Sequence, residues 1–146
     1  MEWFTALLAG LIIAIVSYFL ALQQRRVEKR DEQIEAVAAL RFELQSNLEW
    51  VDNIFESGNY LRDEAWVTLK NKGYISYLPA PIPIKVIVAY DRLHSLNGQI
   101  RILRDEPNKF NSEKANQNKA ETRSEFIKLI RLLDSHYPKI GRNFKA

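Results

Sequence analysis

The chain has 146 residues, a formal net charge of +3 and no cysteine. Such a length holds about one domain with a modest core. The missing cysteine excludes disulfides, thiolate metal sites, iron–sulfur ligation and cysteine nucleophiles.

Residues 3–22 read WFTALLAGLIIAIVSYFLAL without a charge. About twenty apolar residues are what an α-helix needs to cross the hydrocarbon core. Thr5 and Ser17 can bond back to helix carbonyls, and Trp3, Phe4, Tyr18 and Phe19 suit the two interfaces. A cleaved signal peptide is the competing reading. It calls for positive charge before a shorter apolar run and a small-x-small cleavage site, whereas here Met1 and Glu2 precede a long run and no Ala-x-Ala follows. The expectation is a transmembrane helix. Within it Ala6, Gly10 and Ala14 recur every four residues, a spacing that lets two helices approach closely.

Residues 23–33 form a polar, basic juxtamembrane collar carrying Arg25, Arg26, Lys29 and Arg30. Lys and Arg favour the cytoplasmic side, so the N-terminus is expected outside and the rest of the chain in the cytoplasm, at the cell (inner) membrane. The collar can also meet anionic headgroups; a stop-transfer flank is the simpler role. No Gly or Pro occurs between Gly10 and Gly58, and the residues after Arg26 are good helix formers. The membrane helix is therefore expected to continue into the first helix of a cytosolic domain spanning residues 34–137. Val37, Leu40, Leu44, Leu48, Val51 and Phe55 make an apolar stripe near the 3.6 period of a straight amphipathic helix.

DEAWVTLKNKG predicts a short helix with Asp63 and Glu64 at its start, Gly73 as its stop and Trp66 and Leu69 on its buried side. YISYLPAPIPI reads as an extended connector, because each Pro biases the preceding residue away from helix. A helix from about residue 84 to 104 follows, with Val86, Tyr90, Leu93, Asn97 and Ile100 on one side and a Pro in its first turn. IPIKVIVAY has strand-like β-branched content, but helical spacing takes over. DEPNKFNSEKANQNK is expected to be an exposed loop whose end frays into helix. Phe126, Leu129, Ile130, Leu133 and Tyr137 mark a last helix, ended by Pro138. Residues 138–146 then form a basic tail with Lys139, Arg142 and Lys145. The fold class is all-α: a membrane helix continuous with the first helix of a three- or four-helix cytosolic bundle.

ALRFELQSNL, EAWVTLKNKGYISYLP and AYDRLHSLN, covering roughly the middle half of the chain, resemble a scattered group of uncharacterised prokaryotic single-pass membrane proteins. These have an N-terminal anchor and a small helical cytosolic domain. The resemblance implies a prokaryotic or viral source and brings no catalytic residues.

Asn47 and Asn97 lie on or beside apolar stripes, with Glu43 one turn before Asn47. Buried polar groups must be paired, so the two asparagines are expected to bond to each other or to backbone freed by the Pro-rich connector, as a polar pin that fixes register. A small polar pocket is the functional alternative. His94 and His136 are the only histidines. Asp91 and His94 make one Asp-x-x-His, but a helical metal site needs several converging ligands, so no metal and no cofactor are expected. His94 and Ser95 point apart on a helix, and no Gly-rich phosphate loop appears. The few charges of the tail do not make a nucleic-acid site. The expected function is non-enzymatic: a membrane-anchored helical interaction or scaffold protein, an accessory subunit of a larger assembly. Its expected partners are the lipid bilayer and other membrane proteins or itself, with no small-molecule substrate. The alternative is a phage- or virus-related membrane effector that oligomerises through Ala6, Gly10 and Ala14 and perturbs the bilayer.

Overall fold

The computed structural model describes the backbone of residues 2–142 and the side chains of residue 3 and residues 7–140. Among the described residues the protein is all-helical, without strands. Six α-helices follow in order: α1 (Glu2–Val51), α2 (Ile54–Ser57), α3 (Glu64–Asn71), α4 (Ile82–Asp105), α5 (Ser112–His136) and α6 (Pro138–Arg142). Short 3-10 turns lie at Tyr74–Tyr77 and Pro107–Lys109.

Two compact units divide the chain, Met1–Glu35 and Ala36–Ala146. The first holds only the N-terminal part of helix α1, up to Glu35. Among residues 7–35 no side chain is buried. Leu7, Leu11, Ile12, Ile15, Phe19 and Leu20 are all exposed. A helix so apolar and so uncovered is long enough to cross a membrane.

The second unit is built on one apolar cluster. The last turns of α1 contribute Val37, Leu40, Leu44 and Val51, all buried, with Leu48 partly covered. Their spacing of three, four and seven keeps them on one helix face. Ile54 of α2, Leu61, Trp66 and Leu69 of α3, and Leu78 join them. Helix α4 buries Ile82, Val86, Tyr90, Leu93, Leu96 and Ile100, while α5 buries Phe126, Leu129, Ile130 and Leu133. Helices α4 and α5 pack on one another.

Local chemistry accounts for the element ends. Gly58 and Gly73 have φ of 64° and 69°, left-handed values that glycine adopts without a Cβ penalty. Pro83 occupies the first turn of α4, where its missing N–H costs nothing. Asn111 caps α5, its side chain accepting from Lys114 N–H at 2.9 Å.

Three expectations need correcting. The connector before α4 is not wholly extended, since Tyr74–Tyr77 closes a 3-10 turn after Gly73. The segment after residue 105 is only briefly a loop: the Asn111 cap starts α5 at Ser112, much earlier than its apolar spacing suggests. Residues 138–146 are not a tail throughout. Pro138 opens α6, which buries Ile140 in the core. A proline that cannot continue one helix is well suited to begin the next. Residues 143–146, including Lys145, lie outside the described residues.

Candidate functional site

Two groups of polar residues stand out, one in each unit. In the first unit Arg25, Arg26, Lys29 and Arg30 are all exposed on α1. Gly10 and Ala14 are exposed too, and a Cβ added at Gly10 would meet nothing within 4 Å. The side chain of Ala6 lies outside the described residues.

The second unit holds a polar clamp around the segment between α2 and α3. Asn47, only 2% exposed, donates from Nδ2 to the Arg62 carbonyl at 2.8 Å and accepts from Arg62 N–H at 2.9 Å. Asn97, half-buried on α4, repeats the pattern one residue earlier. It accepts from Leu61 N–H at 2.9 Å and donates to the Leu61 carbonyl at 3.0 Å. Each amide thus satisfies both backbone groups of one residue, as a neighbouring strand would. The asparagines pair with backbone before α3, not with each other and not with the Pro-rich connector.

Beside this clamp lies Glu43. Its Oε1 accepts from the Tyr90 hydroxyl at 2.5 Å and its Oε2 from Ala65 N–H at 2.8 Å. Burial pushes the Glu43 carboxyl above its ordinary range, and the hydrogen bonds from Ala65 and Tyr90 oppose that rise. Burial first, and then the Glu43 charge, raise the Tyr90 hydroxyl, which stays protonated and donates. Tyr90 also stacks on Trp66 with ring centroids 5.3 Å apart. The carboxylate so joins α1, α3 and α4.

Two adjoining open clefts, each of about 310 Å³, flank these residues and share Ser46 and Arg62. The first is lined by Asn47, Trp50, Asn59 and Tyr60, the second by Ala36, Ala39, Phe42, Glu43 and Ala65. Phe42, Trp50 and Tyr60 are 56%, 52% and 47% exposed. Exposed aromatic side chains thus stand beside a backbone segment held by the asparagine clamp. The buried carboxylate at its edge is already spent on protein partners.

No family model matches this chain, and neither does any curated protein or solved structure.

The histidines are engaged with neighbours. His94 Nε2 lies 2.9 Å from Asp63 Oδ2, and His136 Nδ1 lies 3.0 Å from the Leu132 carbonyl. The carboxylate that meets His94 is that of Asp63, on the segment before α3. Among the described residues no three His, Asp or Glu side chains are grouped to hold a metal ion. Sequence reasoning missed the ion pair of Arg41 with Asp134, which joins α1 to α5 through Nε–Oδ1 at 2.7 Å and Nη2–Oδ2 at 3.2 Å. The only hint was that Arg41 directly follows Leu40 of the apolar stripe.

Proposed function

We propose that this protein is a membrane-anchored, non-enzymatic interaction module. The observation that carries the reading is α1, one helix over Glu2–Val51 whose first part is apolar and uncovered and whose last turns enter a folded core. In this reading the first part crosses the cell membrane, with the N-terminus outside and the helical unit in the cytoplasm. The collar basic residues support that orientation. The unit that follows is read as a small helical bundle that presents Phe42, Trp50 and Tyr60 to a protein partner within a larger assembly.

Fractionation tests the anchor, and thiol labelling tests the orientation. The chain is expected to resist extraction from membranes by alkaline carbonate. Because it has no cysteine, one introduced at Ser112 gives a clean probe. That thiol should react with an impermeant maleimide only after the cytoplasmic face is opened. Release by carbonate, or labelling in intact cells, would overturn the reading.

A further inference from the structure

The collar is charged in a way that a merely solvated helix is not. At about 100° per residue, Arg25, Arg26, Lys29 and Arg30 fall within an arc of about 140° on α1. Glu28, Asp31, Glu32 and Glu35 fall within an arc of about 100° on the other side. Every charged pair four residues apart is of like sign: Arg25 with Lys29, Arg26 with Arg30, Glu28 with Glu32, and Asp31 with Glu35. Such pairs weaken an isolated helix, and a solvated face gains from mixing signs at that spacing. Only along one seam, Arg25 beside Glu28 and Lys29 beside Glu32, do opposite signs lie three apart.

The same two sides differ in size within the apolar part. By the same geometry the acidic side continues Gly10, Ala14, Ser17 and Ala21, with Ile13 at its edge in line with Asp31, and the basic side continues Leu11, Ile15, Tyr18 and Leu22. One side is therefore small and then acidic; the other is large and then basic.

We propose that residues 7–35 bind further copies of this chain face to back, the small, acidic side of one helix receiving the large, basic side of the next. This rests on the reading of α1 as a membrane anchor, which holds all copies parallel and at one depth. Charge complementarity selects the arrangement. Two copies meeting through their small sides would set Glu28 and Glu35 of each against the same residues of the other. Two copies meeting through their basic sides would repel likewise. A face-to-back contact pairs opposite signs at matched depth and fits large side chains against small ones. Such a contact is heterologous, so it adds copies until a ring closes or continues as an open array. Anionic headgroups would engage the basic side alone and leave the acidic arc without a role.

The test uses full-length chain in vesicles of neutral lipid, with donor and acceptor fluorophores on separate copies. Wild type is expected to show energy transfer well above that of a monomeric anchor at equal density. Glu28→Lys with Asp31→Lys cancels the net charge of the acidic side, where Glu32 and Glu35 remain. Arg26→Glu with Arg30→Glu cancels that of the basic side, while Arg25 and Lys29 are kept. Each variant alone should lose the excess transfer at least fivefold, and an equal mixture should recover it. That recovery also shows both variants are folded. If both variants transfer like wild type, or if the mixture fails to recover, the proposal is overturned. Transfer that requires anionic lipid and ignores the Glu28 and Asp31 changes would make lipid the partner and overturn it as well. Oxidative crosslinking adds a geometric readout: Ala21→Cys copies should link to Leu22→Cys copies, and strong self-linking of Ala21→Cys would overturn the face-to-back arrangement. A chain that carbonate removes from membranes refutes the anchor itself. A chain that stays in the membrane at monomer-level transfer refutes this assembly alone.

Discussion

Burial makes the proton on Glu43 a stability variable. Its folded carboxyl is raised above the ordinary value of 4.5, so the native state holds that proton at pH values where the unfolded chain has lost it. Stability from this group is therefore greatest below about 4.5 and falls as pH rises towards the higher folded value. Above that value the cost of burying the charge stays constant. Denaturant titrations across pH should show this downward slope in wild type and lose it in Glu43→Gln. The amide can still accept from Ala65 N–H and can donate to the Tyr90 oxygen. Tyr90→Phe instead leaves a buried oxygen without its donor, and about 1–3 kcal/mol of destabilisation is expected at neutral pH. Asn47→Ala should cost a similar amount, about 1–3 kcal/mol, because it orphans both backbone groups of Arg62. The presence of a polar pin at Asn47 and Asn97 could be suspected from their places on apolar stripes. Its target could not, since nothing in the identity of Leu61 or Arg62 announces that their backbone needs a partner.

Among the elements, α5 shows what apolar spacing reveals and what it hides. Phe126, Leu129, Ile130 and Leu133 were legible as a buried face because they recur at helical intervals. The first turns of α5 carry few large apolar groups and so look like a loop, although Ala115 and Thr122 are buried. The missed signal was the Asn111 cap followed by Glu113 and good helix formers. Asn111→Ala should lower stability by about 1 kcal/mol, read as a shift in the denaturation midpoint with unchanged slope. The Arg41–Asp134 pair acts between elements. Arg41 has a side chain only 9% exposed, against 34% for Asp134. Asp134→Asn leaves that guanidinium without its carboxylate, and a loss of about 1.5–3 kcal/mol is expected. Being long-range, this pair has no local pattern to betray it. The buried faces of α1 and α4, by contrast, follow directly from Val37, Leu40 and Leu44 and from Val86, Tyr90 and Leu93.

For the molecule as a whole, the two units make separable claims. Residues 36–146 contain the apolar cluster, the asparagine clamps and the Glu43 network. A fragment starting at residue 34 is therefore expected to stay soluble and to unfold in one cooperative transition, monitored by circular dichroism. Aggregation or non-cooperative melting would show that the cluster needs the apolar helix. The abrupt change from uncharged to densely charged sequence comes after Leu22, whereas the two units divide between Glu35 and Ala36, just before the buried stripe opens at Val37. The separation of the collar's basic and acidic residues onto two sides of α1 is a matter of phase around the helix, and linear reading hides phase until every charge is placed on its turn.

The clamps of Asn47 and Asn97 grip main-chain atoms only, while Asn59, Tyr60 and Arg62 point their side chains outward. The strip is thus anchored independently of what it displays. Its visible lettering can be rewritten by mutation while the mount stays fixed, so new recognition can evolve there without renegotiating the fold.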